Sequence, residues 1–284
     1  MFFQGKCNVF LYIDPYGIKA LRYSMFEQFS NGKFNSIELL INMNSFGFIR
    51  EACNAMGTRL ELNDSTIFED LVEYDPSKMD MSEKSIQALN EIADGAYWQA
   101  IIRDLREKKI DGYQAEERFA AQYCKKLREC FTFVLNMPLR IKQGQRPKYR
   151  MIHATNHPDG CLLMVDNICN RWEAWREIQT NGQMSLFNED VNSQVADELE
   201  IEKKMVDFFS LLQKYYSLNI VLSLFFMRYG PICKTSVIKG KLKEFEKAGR
   251  VKVEREPQLT SKGRPTSFME EKSGKQKVLI KWAN

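Results

Sequence analysis

Histidine is scarce in this sequence: His153 and His157 are the only two in 284 residues. His-x-x-x-His spacing brings two imidazoles to one zinc ion only on a helix. Here a strand-like stretch runs into Asn156-His157-Pro158-Asp159-Gly160, a turn-forming run, so no metal site is expected even with Asp159 and Cys161 nearby. His157 reads as a turn residue at a ligand-binding edge and His153 as a sheet residue. The seven cysteines are odd in number and include no Cys-x-x-Cys pair, which suits reduced thiols in a cytosolic protein. No apolar run approaches the roughly 20 residues a membrane-spanning helix requires. The longest, Ile220 to Met227, is far shorter. The opening Met1-Phe2-Phe3-Gln4-Gly5-Lys6 lacks the basic start and apolar segment of a secretory signal. A cytoplasmic location is the expectation. Aspartate is missing from Arg228 onward, where 15 Lys/Arg stand against 6 Glu. That segment carries +9 of a net +4, so the remainder carries −5. A basic tail on an acidic body points to a nucleic-acid contact surface, with a solvated Lys-rich face as the alternative.

What is present fits a sizeable globular chain. At 44% hydrophobic and 27% charged residues, it has material for a large core and for two domains. The most informative stretch is Val9-Phe10-Leu11-Tyr12-Ile13-Asp14-Pro15-Tyr16-Gly17. Five apolar, β-prone residues read as a strand buried on both faces, inside a parallel sheet. Pro15 ends it and Gly17 permits a sharp turn, after which Ile18, Leu21, Met25 and Phe29 recur at helical spacing. A carboxylate and a ring are thereby presented at the carboxyl end of a strand, where ligands bind in open α/β sheets. An ordinary strand-to-turn transition has the same composition.

Ser36 to Met43 reads as a second strand, leading through Asn44 and Ser45 to a helix from about Phe48. Asn44 is a helix-start or ligand-facing residue, and Arg50, one turn inside, is an anion-binding or surface arginine. Asn63 to Met81 is acidic and turn-rich. Three amphipathic helices follow, Ser82 to Ala93, Tyr97 to Lys108 and Tyr113 to Cys130, forming a cap near the ligand edge or a partner surface. Phe131 to Met137 and Tyr149 to Thr155 read as an antiparallel hairpin around the basic turn Lys142 to Lys148. Cys161 to Ile178 is helical and Asn181 to Asn192 is a polar linker. Helices at Gln194 to Tyr216 and Asn219 to Arg228 precede Gly230-Pro231. Thr235 or Ser236 then caps a helix through Ala248, which Gly249 ends. Two alternating strands, Arg250 to Arg255 and Lys277 to Trp282, complete a winged-helix pattern. The expected nucleic-acid-binding residues are Lys239, Lys241, Lys243, Lys247, Arg255, Lys262 and Arg264.

The strand-loop at Asp14 resembles the Asp/Asn-Pro-Pro-Tyr motif of amino-directed, S-adenosylmethionine-dependent methyltransferases, and more closely the Asp-Pro-Phe/Tyr-Gly form of tRNA guanine dimethyltransferases. In that chemistry oxygen acceptors, here Asp14 and the Pro15 carbonyl, hold the hydrogens of an exocyclic amine and aim its lone pair at the methyl donor. Tyr16 would stack on an extruded base, with Gly17 turning the chain behind it. The order strand, helix, strand, helices, strand pair resembles the second half of a methyltransferase sheet. A cofactor-holding first half with its glycine-rich turn has no counterpart before Asp14, since 13 residues precede it. Three explanations stay open: a longer pattern, a completing partner, or a degenerate site.

As a whole the chain resembles the three-Cys-motif partner family. The resemblance rests on Phe-Leu-Tyr-Ile-Asp-Pro-Tyr-Gly, on Glu-Leu-Leu-Ile-Asn with Phe48-Ile49-Arg50, on His153 to Gly160, and on Glu246 to Val251 through Lys262-Gly263. It implies a methyltransferase-like protein associated with a second protein that carries a three-cysteine motif. The expected architecture is α/β: a partial class I methyltransferase-like, Rossmann-like sheet with a helical insertion over 1–180, a linker at 181–192 and a winged helix-turn-helix domain over 193–284. The expected function is methyltransferase-like action on nucleic acid, possible S-adenosylmethionine dependence included. Asp14, Pro15, Tyr16 and Gly17 would form the catalytic loop, with Asn44, Arg50 and His157 as substrate contacts. The alternative is a non-catalytic nucleic-acid-binding adaptor that docks a partner enzyme.

Overall fold

Asn8–Ile13 forms the first strand, β1, in a computed structural model that describes residues 7–15, 17–18, 21–62, 83–139, 149–179 and 196–283. The chain divides into two units, Met1–Asn156 and His157–Asn284. The expected loop at Asn63 to Met81, the turn at Lys142 to Lys148, the linker at 181–192 and Tyr16 lie outside the described residues.

In the N-terminal unit β1 is followed by helix α1 (Tyr23–Ser30), strand β2 (Ser36–Met43) and helix α2 (Ser45–Ala55). Helices α3 (Glu83–Ala93), α4 (Tyr97–Arg106) and α5 (Gly112–Leu127) come next, then strands β3 (Phe133–Leu139) and β4 (Tyr149–Thr155). The sheet order is β1-β2-β4-β3. β1 pairs parallel with β2, from Asn8 beside Ser36 to Ile13 beside Ile41. β4 runs antiparallel to both β2 and β3. The expected hairpin is therefore present and extends a parallel pair.

β1 is not buried on both faces. It is an edge strand: Val9, Leu11 and Ile13 face the core half-covered, while Phe10 and Tyr12 are 55% and 56% exposed. Continuous apolar character comes here from one face packing and the other remaining open. α1 starts at Tyr23, later than the apolar spacing from Ile18 predicts, and the Leu21 N–H donates to the Ile18 carbonyl at 3.0 Å ahead of it.

The helices between β2 and β3, expected as a cap or partner surface, contribute their inner faces to the core. Trp98, Phe48, Phe119 and Tyr123 are buried, with the Phe48 and Phe119 rings stacked at 3.8 Å. Burying each such ring contributes about 2–3 kcal/mol, more than an exposed cap would gain. Asp111 and Gln114 close a reciprocal capping box that starts α5 beside this cluster.

The C-terminal unit begins with helix α6 (Pro158–Gln179), which packs on helices α8 (Leu218–Tyr229) and α9 (Thr235–Lys247). The sequence reading placed this helix in the first domain. Helix α7 (Glu198–Phe209) precedes the short strand β5 (Tyr216–Ser217), and strands β6 (Val251–Glu256) and β7 (Lys277–Trp282) follow α9. The antiparallel sheet runs β5-β7-β6. β5 escaped the sequence reading because it is two residues long. Phe209, Leu222, Phe225, Phe226, Leu242 and Ile280 fill the core. Thr235 does not cap α9. Its N–H and hydroxyl both bind the Asp166 carboxylate of α6, each at 2.7 Å, while Lys234 occupies the cap position. Gly249, at φ 72°, ends the helix in the left-handed conformation open to glycine.

Candidate functional site

Asp14 stands immediately after β1, on the face that alternation gives to Phe10 and Tyr12. Register sets Asn42 of β2 beside it, and Asn42 Nδ2 donates to Asp14 Oδ1 at 2.9 Å. Partial desolvation and the neighbouring Asp14 together raise the Tyr12 pKa. Asn42 thus orients an exposed carboxylate, with Tyr12 beside it. Because an ionised carboxylate only accepts, the Asn42 amide must present Nδ2 to it. Asn42 Oδ1 is then left buried, without a partner among the described residues.

Further along the same face His153 is fully buried. Its Nε2 lies 3.0 Å from Glu38 Oε2, and its Nδ1 has no partner among the described residues. His153 is a sheet residue, as its pattern predicted. On the opposite face, behind β2, Ser45 and Arg150 meet Glu116. Arg150 holds that carboxylate bidentately, Nε to Oε1 at 2.5 Å and Nη2 to Oε2 at 2.7 Å, and the Ser45 hydroxyl donates to Oε1. Burial lowers the Arg150 pKa, but the Glu116 hydrogen bonds and charge outweigh it and raise it overall. This cluster ties α2, α5 and β4 together where β2 ends.

Asn44 is the N-cap of α2, its Oδ1 accepting the Gly47 N–H at 2.7 Å. Arg50, on the same helix, pairs with Glu51 at 3.1 Å. His157 opens the C-terminal unit, is exposed, and accepts the Asp159 N–H on Nδ1 at 3.2 Å. The substrate contacts expected from sequence are thus divided between two units. Asn44 already serves a helix end.

The glycines that follow β1 and β2 differ in their surroundings. The glycine after β2, Gly47, gives way to the Asn44 side chain, whose atoms would lie 3.0 Å from an added Cβ. Gly17, at φ 89°, has nothing within 4 Å of such a Cβ. Burial pushes the thiols of Cys53, Cys124, Cys169 and Cys233 up to about 12, so none of them is a nucleophile at neutral pH. Among the described residues no group of three or more His, Cys, Asp or Glu has metal-binding geometry.

The basic residues of the C-terminal unit separate into two sets. Lys241 is 14% exposed and pairs with Glu198 at 2.5 Å and Glu244 at 3.3 Å. Arg255 is 10% exposed, grips Glu246 through both terminal nitrogens at 2.7 and 2.6 Å, and donates to the Phe268 carbonyl. These two hold the fold together. Lys239, Lys243 and Lys247 line one side of α9 without an ion pair among the described residues, and Lys262 and Arg264 are exposed in the β6–β7 connection.

No protein-family model, curated protein or solved structure matches the chain. The sequence reading missed Tyr12 and Asn42. Strand parity could have found the first, and a lone asparagine inside Leu-Leu-Ile-Asn-Met the second. The Ser45–Glu116–Arg150 cluster left no local signal, since its members lie far apart in the chain.

Proposed function

We propose that this chain recognises an exocyclic amine of a nucleic-acid base, supplying the substrate half of an amino-directed methyl-transfer site. The observation that carries the reading is the Asp14 carboxylate, oriented by Asn42 at the carboxyl end of β1 with Tyr12 beside it. An amine hydrogen donated to that carboxylate, with a second to the Pro15 carbonyl, fixes the nitrogen lone pair in direction. Tyr16 follows in sequence as the ring for stacking. A parallel strand pair continued by an antiparallel hairpin supports the likeness to the second half of a methyltransferase sheet.

The C-terminal unit supports nucleic-acid contact. Its order α7, β5, α8, α9, β6, β7 with a β5-β7-β6 sheet supports a winged-helix reading, and α9 carries lysines without an ion pair among the described residues. These lysines would neutralise phosphates, which gives affinity without base selection. Selection would come from Asp14.

On this reading the methyl donor is held by a different polypeptide, for which a protein with a three-cysteine motif is the candidate that the family resemblance names. Calorimetric titration of the full chain with S-adenosylmethionine is expected to show no micromolar binding. Micromolar affinity would return the donor site to this chain and overturn the division. A chain that binds nucleic acid but leaves every base amine indifferent to Asp14 would be the adaptor instead.

A further inference from the structure

Among the described residues, nothing pairs with the outer edge of β1. Asn8–Ile13 contains no charge and no proline, and Phe10 and Tyr12 are more than half exposed. Soluble proteins guard free strand edges with lysine, proline or a covering element, because bare backbone N–H and C=O groups pair with any strand that arrives. The opposite edge shows the contrast: β3 carries Pro138, and its Phe133, Leu135 and Met137 are buried.

We propose that β1 pairs antiparallel with β1 of a second copy of this chain, Leu11 opposite Leu11 on a two-fold axis normal to the sheet. Such an axis keeps each face continuous, so opposed residues must share parity. Three registers then overlap the strands well. Centring on Tyr12 sets Phe10 against Asp14 and Val9 against Pro15, which has no N–H to pair. Centring on Phe10 sets Asn8 against Tyr12 and Ile13 against Cys7, so no ring meets a ring except Phe10 itself. Centring on Leu11 sets Phe10 against Tyr12 twice, a favourable aromatic cross-strand pair, and Val9 against Ile13 on the core face. No like charges meet. In this register Asn8 of the second copy stands opposite Asp14. Asn8 Oδ1 already accepts from Asn35 Nδ2 at 2.7 Å and Ser36 Oγ at 3.0 Å, so its amide has Nδ2 left to donate. The second copy would thus add a donor to the carboxylate that Asn42 orients. The pairing itself does not depend on the amine-recognition reading.

Sedimentation velocity of the full chain at about 50 μM is expected to give twice the 33.2 kDa chain mass. Phe10→Lys, at an exposed position, is expected to restore the single-chain mass with an unchanged circular dichroism spectrum. Leu11→Cys is expected to form a reducible covalent dimer under mild oxidation, while the parent chain with its seven cysteines does not. A monomeric parent chain would overturn the proposal and leave the edge to another protein. A dimer that survives Phe10→Lys would place the interface elsewhere. A Phe10-sensitive dimer with no Leu11→Cys cross-link would overturn the register.

Discussion

Asp14 owes its direction to neighbours that sequence distance hides: Asn42 lies 28 positions away and reaches it only through the β1–β2 register. The same holds for Glu116, a buried carboxylate whose partners Ser45 and Arg150 come from two other elements. Glu116→Ala would leave the Arg150 guanidinium buried and uncompensated, at a cost of about 3–5 kcal/mol. Urea unfolding of the variant should show that loss, and a loss under 1 kcal/mol would mean that the cluster relaxes into solvent. Four thiols make a second residue-scale expectation. Cys53, Cys124, Cys169 and Cys233 are raised from an ordinary 9.0 to about 12 by burial. The folded state keeps them neutral, so their contribution is intact below pH 9. It is lost as pH rises from 9 towards 12, where only the unfolded thiols ionise. Each costs about 1.4 kcal/mol per pH unit in that window. Cys53→Ala should flatten the alkaline fall in stability by that slope, and an identical slope would contradict the assignment.

At the scale of elements, local chemistry was legible and neighbourhood was not. β2 occupies Ser36–Met43 as its pattern predicts, and α3, α4 and α5 fall within one to three residues of the amphipathic pattern. Those patterns reflect contacts every two or 3.6 residues, which one segment carries alone. Whether β1 is central or at an edge, or α5 core or cap, depends on what packs beside it. The basic residues of α9 and β6 show the same limit: they look alike in sequence, yet Lys241 and Arg255 are held by glutamates. The two sets should respond differently. Lys239→Glu, Lys243→Glu and Lys247→Glu together should weaken binding to a mixed-sequence oligonucleotide and reduce the slope of log K against log salt, with stability unchanged. Arg255→Ala should cost about 2 kcal/mol of stability through its lost charged hydrogen bonds. Fluorescence anisotropy across a salt series and urea unfolding of the same proteins separate the two. Equal effects on binding and stability in both sets would contradict the division.

For the whole molecule, composition announced two units and an uneven charge, and the described residues form an α/β unit and a smaller helical unit with a three-stranded sheet. The second unit begins at His157, ahead of the linker expected at 181–192, and α6, a helix following a strand, carries no mark in sequence of the unit it packs with. No described helix is long and apolar enough to cross a membrane. The account joins a charge-driven grip by the C-terminal unit to amine selection at Asp14. Its most direct test compares full-chain binding to two single-stranded oligonucleotides that differ only in one exocyclic amine, guanine against hypoxanthine, and likewise adenine against purine. In at least one pair the amine-bearing strand should bind about 10-fold tighter, a difference of about 1.4 kcal/mol, and Asp14→Ala should remove that preference while keeping the salt-dependent affinity. Equal binding within both pairs, or a preference that Asp14→Ala leaves intact, would contradict the account.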